Sequence, residues 1–187
     1  MSHLRLALAI VTVLLFAFAT RSAEAATRIY VQFETSSGLV GASTDKAHPK
    51  WIEVESYSLE SRPVTAGAAA DRDNPERKYG SLSLVVAEGV SLPAIARASA
   101  QGKVIKSAVI EVNRQVAGVQ VEVLRITVTD VLIKGYALTQ GADRPRATVK
   151  LAFEKIMIQY MKGDASGNVG PAQAPPPSWD VTSGTKI

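Results

Sequence analysis

Residues 119–136 read VQVEVLRITVTDVLIKGY, and the way their apolar side chains change parity decides the fold class. Val119, Val121 and Val123 are apolar at odd positions, and Leu124, Ile126 and Val128 then take over at even ones. Alternation with period two marks a strand that buries one face. A one-residue slip carries every side chain to the other face, so a strand swaps its buried face only through a bulge, a bend or a turn. Residues 146–162 behave the same way: Ala147, Val149, Leu151 and Phe153 give way to Ile156, Ile158 and Tyr160. Two neighbouring strands that both do this imply a sheet bending onto itself, as a compact antiparallel β-barrel or a sandwich with corners.

The surrounding chain fits that class. Residues 28–34 set Ile29, Val31 and Phe33 against Arg28, Tyr30, Gln32 and Glu34. Residues 51–61 place Trp51, Tyr57 and Leu59 on one face with Glu53 and Glu55, and residues 79–88 gather Leu82, Leu84 and Val86. A further long β pattern covers 104–115. Ala117-Gly118 and residues 141–145 are tight-turn material, and 35–50 is a polar loop. A single helix is predicted over 91–102, with Ser91 as N-cap, Pro93 in the first turn and Gly102 at the left-handed exit. Its narrow face is Leu92, Ile95, Ala96 and Ser99, and Arg97, Lys103 and Lys106 near its exit complement the helix dipole. So short a helix depends on tertiary contacts and is expected to plug or brace the sheet. The class is therefore all-β with one short helix.

Three stretches stand apart in composition. Leu6–Ala19 is apolar except for Thr12, follows Arg5 and precedes Ala23-Glu24-Ala25. That order is a signal peptide, and the run is too short to span a bilayer as a helix, which takes about 20 residues. Residues 62–78 hold Pro63, Gly67, consecutive alanines, Asn74-Pro75 and dense charge. Long loops of this kind inside compact domains are functional or disordered. Residues 163–187 are rich in glycine and proline, with Trp179 standing out among them. The expected plan is a signal peptide at 1–25, a β-barrel domain at 26–162 and a tail at 163–187. The mature chain then has no membrane span and is periplasmic or secreted.

The search for chemistry excludes more than it finds. The 187-residue chain has no cysteine and a formal charge of +4. That removes thiol catalysis and cysteine metal sites, and the mild basicity is spread too evenly for a nucleic-acid footprint. His48 reads as a surface-loop histidine, since one His and one Asp do not make a metal site. Glu53 and Glu55 lie on one strand face and read as solvated, because glycosidase-like work needs two carboxyls facing across a cleft. No phosphate-binding glycine loop and no nucleophile elbow occurs. The expectation is a protein that is not an enzyme, with no catalytic residue, no cofactor and no metal.

Five segments, in order, resemble the haemolysin-coregulated protein (Hcp) family of type VI secretion. They are Gly41-Ala42-Ser43-Thr44-Asp45 with His48 and Trp51-Ile52-Glu53-Val54; Arg97–Lys103; Leu124–Tyr136 with Thr129-Asp130-Val131; Val149–Tyr160 with Phe153, Lys155, Ile156 and Tyr160; and Trp179-Asp180. The resemblance implies a β-barrel with one helix, assembled as a homo-oligomer of six-membered rings that stack into a hollow tube able to carry effector cargo. It implies partners among secretion-system components and no cofactor or catalytic residue. It also implies an extended loop between the second and third strands that contacts the next subunit. Arg62–Lys78 falls there, which makes Arg62, Arg72, Glu76, Arg77 and Lys78 the expected self-assembly interface. The leader departs from the family's pattern, so the reading is an exported relative. The alternative is a monomeric secreted or periplasmic binding or adhesion module on the same barrel.

Overall fold

In a computed structural model, residues 26–60, 80–116, 119–140, 143–163, 169–172, 176–181 and 185–187 are described. The strands are β1 (Thr27–Phe33), β2 (Ile52–Glu60), β3 (Gly80–Ala87), β4 (Val104–Val116), β5 (Val119–Gln140), β6 (Pro145–Phe153), β7 (Lys155–Gly163), β8 (Val169–Pro171), β9 (Ser178–Asp180) and β10 (Thr185–Lys186). The helix α1 spans Leu92–Gln101, and a 3-10 turn covers Thr35–Ser37. Every pairing is antiparallel, and the sheet returns on itself: β5–β4–β1–β2–β3–β6 and back to β5. Closure removes the open edges that a flat sheet would expose. The described residues form the expected all-β barrel with one α-helix.

The face swaps read from sequence have distinct structural causes. At 123/124 the cause is a bulge: Val112 faces Leu124, but Asn113 faces Glu122, so Val123 is the extra residue. At 153/156 it is a corner shared by three strands. β4 buries Ala108 and Ile110 but then Ile105; β5 buries Ile126 and Val128 but then Val131; the β6–β7 chain buries Phe153 and then Ile156. The register of β5 against β4 is unbroken on both sides of this line, from Ser107↔Thr129 to Ile105↔Val131. It likewise passes from Thr129↔Lys155 with β7 to Leu132↔Ala152 with β6. The three strands therefore bend together at Lys106, Asp130 and Glu154. Asp130 takes the left-handed conformation (φ 55°) at the bend, which aspartate tolerates better than most residues.

Some local expectations need correction. Trp51, Tyr57 and Leu59 do not share a simple face with the two glutamates. A register shift between Val54 and Ser56 moves burial from Ile52 and Val54 to the half-buried Tyr57 and Leu59. Ser91 occupies the N-cap position of α1 but makes no side-chain capping hydrogen bond. Gly102 does take the left-handed exit, with φ 59°. The last turn of α1 holds no basic residue: Arg97 precedes it, and Lys103 and Lys106 follow the Gly102 cap. The helix braces the barrel as expected, through Leu92, Ile95 and Ala98, with Ser99 Oγ donating to the Ile133 carbonyl at 3.4 Å.

The core is one cluster from every strand of the ring, including Val31, Phe33, Leu82, Leu84, Ile110, Ile126, Val128, Leu151 and Phe153. The 163–187 segment, read as a tail, supplies three short strands. β9 pairs with β7 at Met157↔Ser178 to Lys155↔Asp180, and β8 pairs with it at Met161↔Pro171 to Gly163↔Val169. They cover the edge of β7 that faces away from β5. No helix among the described residues is long and apolar enough to cross a membrane.

Candidate functional site

Outward-facing Tyr30 on β1 sits opposite Glu111 on β4, and Glu111 sits opposite Arg125 on β5. Such a row would ordinarily meet solvent. Here the connection from β1 to β2 folds back over it. The fold-back is held by a short ladder in which Gly41 N–H donates to Lys50 O (2.9 Å), Ser43 N–H to Trp51 O (3.1 Å) and Lys50 N–H to Ser43 O (2.9 Å). The ladder brings the chain at Gly41 so close to Trp51 that a Cβ on Gly41 would collide with the Trp51 carbonyl. Lys50 turns the corner in the left-handed conformation, with φ 63°.

His48, at the centre of this connection, is not the surface histidine that its polar neighbours suggest. It is 5% exposed. Its ring stacks on Tyr30 with centroids 4.2 Å apart, and Trp51 meets it edge-on at 5.0 Å. Nδ1 lies 2.9 Å from Asp45 Oδ1, and Nε2 lies 2.8 Å from Glu111 Oε2. Glu111, itself 8% exposed, receives Arg125 Nη2 on its other oxygen at 2.8 Å. Arg125 Nε in turn reaches Glu122 Oε1 at 2.8 Å. One chain of charge-assisted contacts thus runs from the connection through β4 to β5. Breaking such a buried pair costs about 3–5 kcal/mol, because the surviving charge is left without a partner.

Asp45 is well suited to its place. Its side chain accepts from His48, and its Oδ1 also takes the backbone N–H groups of Ala47 (2.9 Å) and His48 (3.1 Å). The hydrogen bond from His48, and after it these backbone donors, hold the carboxyl below the usual carboxylate range. A depressed carboxyl contributes stability that is complete above its unfolded value and is lost as pH falls through the folded one. Glu55 on β2 is likewise lowered, by Arg146 first and then Arg144. Those contacts, of 2.6 and 3.0 Å, are solvent-exposed, and pairs of that kind contribute little.

The arrangement fastens a connection to a barrel; it does not present a reactive group. His48 has both nitrogens committed and is shielded from solvent. Among the described residues, no three acidic, histidine or cysteine side chains converge as metal ligands. Glu53 and Glu55, considered as a carboxyl pair, are both exposed, and Glu55 is engaged with arginines. The expected interface residues Arg62, Arg72, Glu76, Arg77 and Lys78 lie outside the described residues, as does the leader at 1–25.

The partners that sequence reading missed are Glu111, Arg125 and Glu122. Glu111 carries its own signal, as an acid between Ala108-Val109-Ile110 and Val112. A carboxylate in such a run needs a partner, because burying a charge alone is costly.

A family model described as "Type VI secretion system effector, Hcp" matches residues 30–160. Salmonella typhimurium Hcp1 has the same fold, with a TM-score of 0.66, 21% identity, and coverage of 87% of this chain and 99% of that one. A structure described as that of a type six secretion system protein matches with a TM-score of 0.67 and 22% identity, over 87% of this chain and all of the other. The secreted protein Hcp3 from Pseudomonas aeruginosa matches at 0.56 and 14%, over 83% and 98%. No curated protein matches the sequence.

Proposed function

The chain belongs to the Hcp family of type VI secretion, and from that membership we propose that it is a structural subunit that assembles into six-membered rings able to stack as a tube. The observation that carries this reading is extent: the likeness takes in 87% of this chain and 99% of Salmonella typhimurium Hcp1. The site described above supports it from the other side. Its ionisable groups are spent on holding the fold, as befits a building block and not an enzyme. The connection between β2 and β3, residues 61–79, carries the charged positions Arg62, Arg72, Glu76, Arg77 and Lys78. In this reading it reaches the next subunit of the ring. The leader at 1–25 directs export, and the ring forms in the periplasm or outside the cell, with effector cargo in its lumen.

The test is the native mass of residues 26–187 by light scattering after size exclusion. A mass near six subunits supports the ring, and deletion of Thr65–Asp73 then yields monomers. A monomer at high concentration overturns the ring in favour of a solitary binding module. A ring that survives the deletion unchanged removes the connection from the interface.

A further inference from the structure

We propose that His48 is a proton-operated latch: the connection between β1 and β2 stays closed over the barrel while the imidazole carries two protons, and opens when one is lost. The argument starts from what a histidine ring can offer. A neutral imidazole has one N–H and one lone pair, and only the doubly protonated ring donates from both nitrogens. Here both nitrogens face carboxylate oxygens, at 2.9 Å to Asp45 and 2.8 Å to Glu111. An ionised carboxylate accepts and cannot donate. The doubly protonated ring therefore satisfies both contacts. The neutral ring satisfies one and sets a lone pair against a carboxylate oxygen at the other.

The charges around the ring favour the same state. Its own connection supplies Asp45, β4 supplies Glu111, and β5 supplies Arg125 with Glu122 behind it. β1 contributes Tyr30, stacked on the ring, and Arg28, whose charge is favoured by the Tyr30 hydroxyl beside it and then by Glu53 and Asp45. Glu53 on β2 stands opposite Tyr30. Two carboxylates thus touch the ring and two more, Glu122 and Glu53, stand behind Arg125 and opposite Tyr30, against two guanidinium groups, and a second ring proton reduces that acidic excess.

Geometry also makes the consequence local. The connection meets the barrel through this ring at one end and through Leu39, which packs into the core, at the other, while its backbone ladder of Gly41, Ser43, Lys50 and Trp51 is internal to the connection. Losing the Glu111 contact therefore loosens the His48 end of the connection without touching the strand ladders. Histidine is the side chain that can change charge while arginines and paired carboxylates stay ionised.

The experiment is amide hydrogen exchange on the full chain from pH 5.5 to 9, corrected for the intrinsic pH dependence of exchange. Protection at Gly41, Ser43 and Lys50 should fall with rising pH, by up to about tenfold per unit where one proton is coupled to opening. Protection at Ile110 and Val128 in the strands should stay level. In Glu111→Gln the amide can donate to the lone pair of a neutral ring and still accept from Arg125, so the excess fall should vanish. His48→Gln should be open across the range. Parallel behaviour of connection and strand amides in the wild-type chain would overturn the latch. So would a Glu111→Gln variant that keeps the full fall.

Discussion

An added methyl group at Gly41 would stand on the Trp51 carbonyl, and a backbone atom cannot swing aside as a side chain can. Gly41→Ala must therefore push apart the strands of the small ladder or forgo the Gly41 to Lys50 hydrogen bond. Overpacking of this kind costs about 1–3 kcal/mol. Urea unfolding should show the midpoint of Gly41→Ala lowered with the slope unchanged, and an unaltered midpoint would mean that the connection has room to relax. The same region shows where sequence reading falls short at this scale. The residues of the connection are legible as a set, but the polar near neighbours of His48 point it to the surface. Its burial comes from Tyr30 and from Glu111, 63 positions away, and no local pattern reports a contact of that range.

Parity along the strands carries the corner at Lys106, Asp130 and Glu154. In β6 and β7 the swap was legible, because Phe153 and Ile156 are separated by the charged pair Glu154-Lys155. In β5 it was concealed: Val131, Leu132 and Ile133 are apolar at both parities, so Val131 and Ile133 give no sign that the buried face has changed. The residue that turns the strand is Asp130, in the left-handed conformation. A β-branched residue there meets the full steric penalty of about 1–2 kcal/mol. Asp130→Val should lower the thermal midpoint by several degrees, whereas Asp130→Gly, which has no Cβ to clash, should leave it nearly unchanged. Equal losses in both variants would show that the carboxylate, and not the backbone conformation, is what the corner needs. The corner also fixes strand lengths, since one residue added on one side of it in any of the three strands would turn that strand's apolar set outward.

Closure of the barrel was visible in the sequence as a class, but its completion by the last two dozen residues was not. Strands of two or three residues are too short to show a period, and glycine and proline around them read as tail. Yet β8 and β9 cover the far edge of β7. A chain ending at Gly163 would leave that edge bare, and bare edges invite pairing with other chains. Such a truncation should aggregate on concentration, as light scattering would show, while keeping a strand-rich circular dichroism spectrum. A soluble truncated chain would show that the edge is protected in another way. The topology also makes the molecule mechanically unequal along its length. Tension on β10 meets two residue pairs with β9 and can unzip them one at a time. Tension on β1 must shear a strand bonded to β2 on one side and β4 on the other. Under load the chain yields at β10 before it yields at β1.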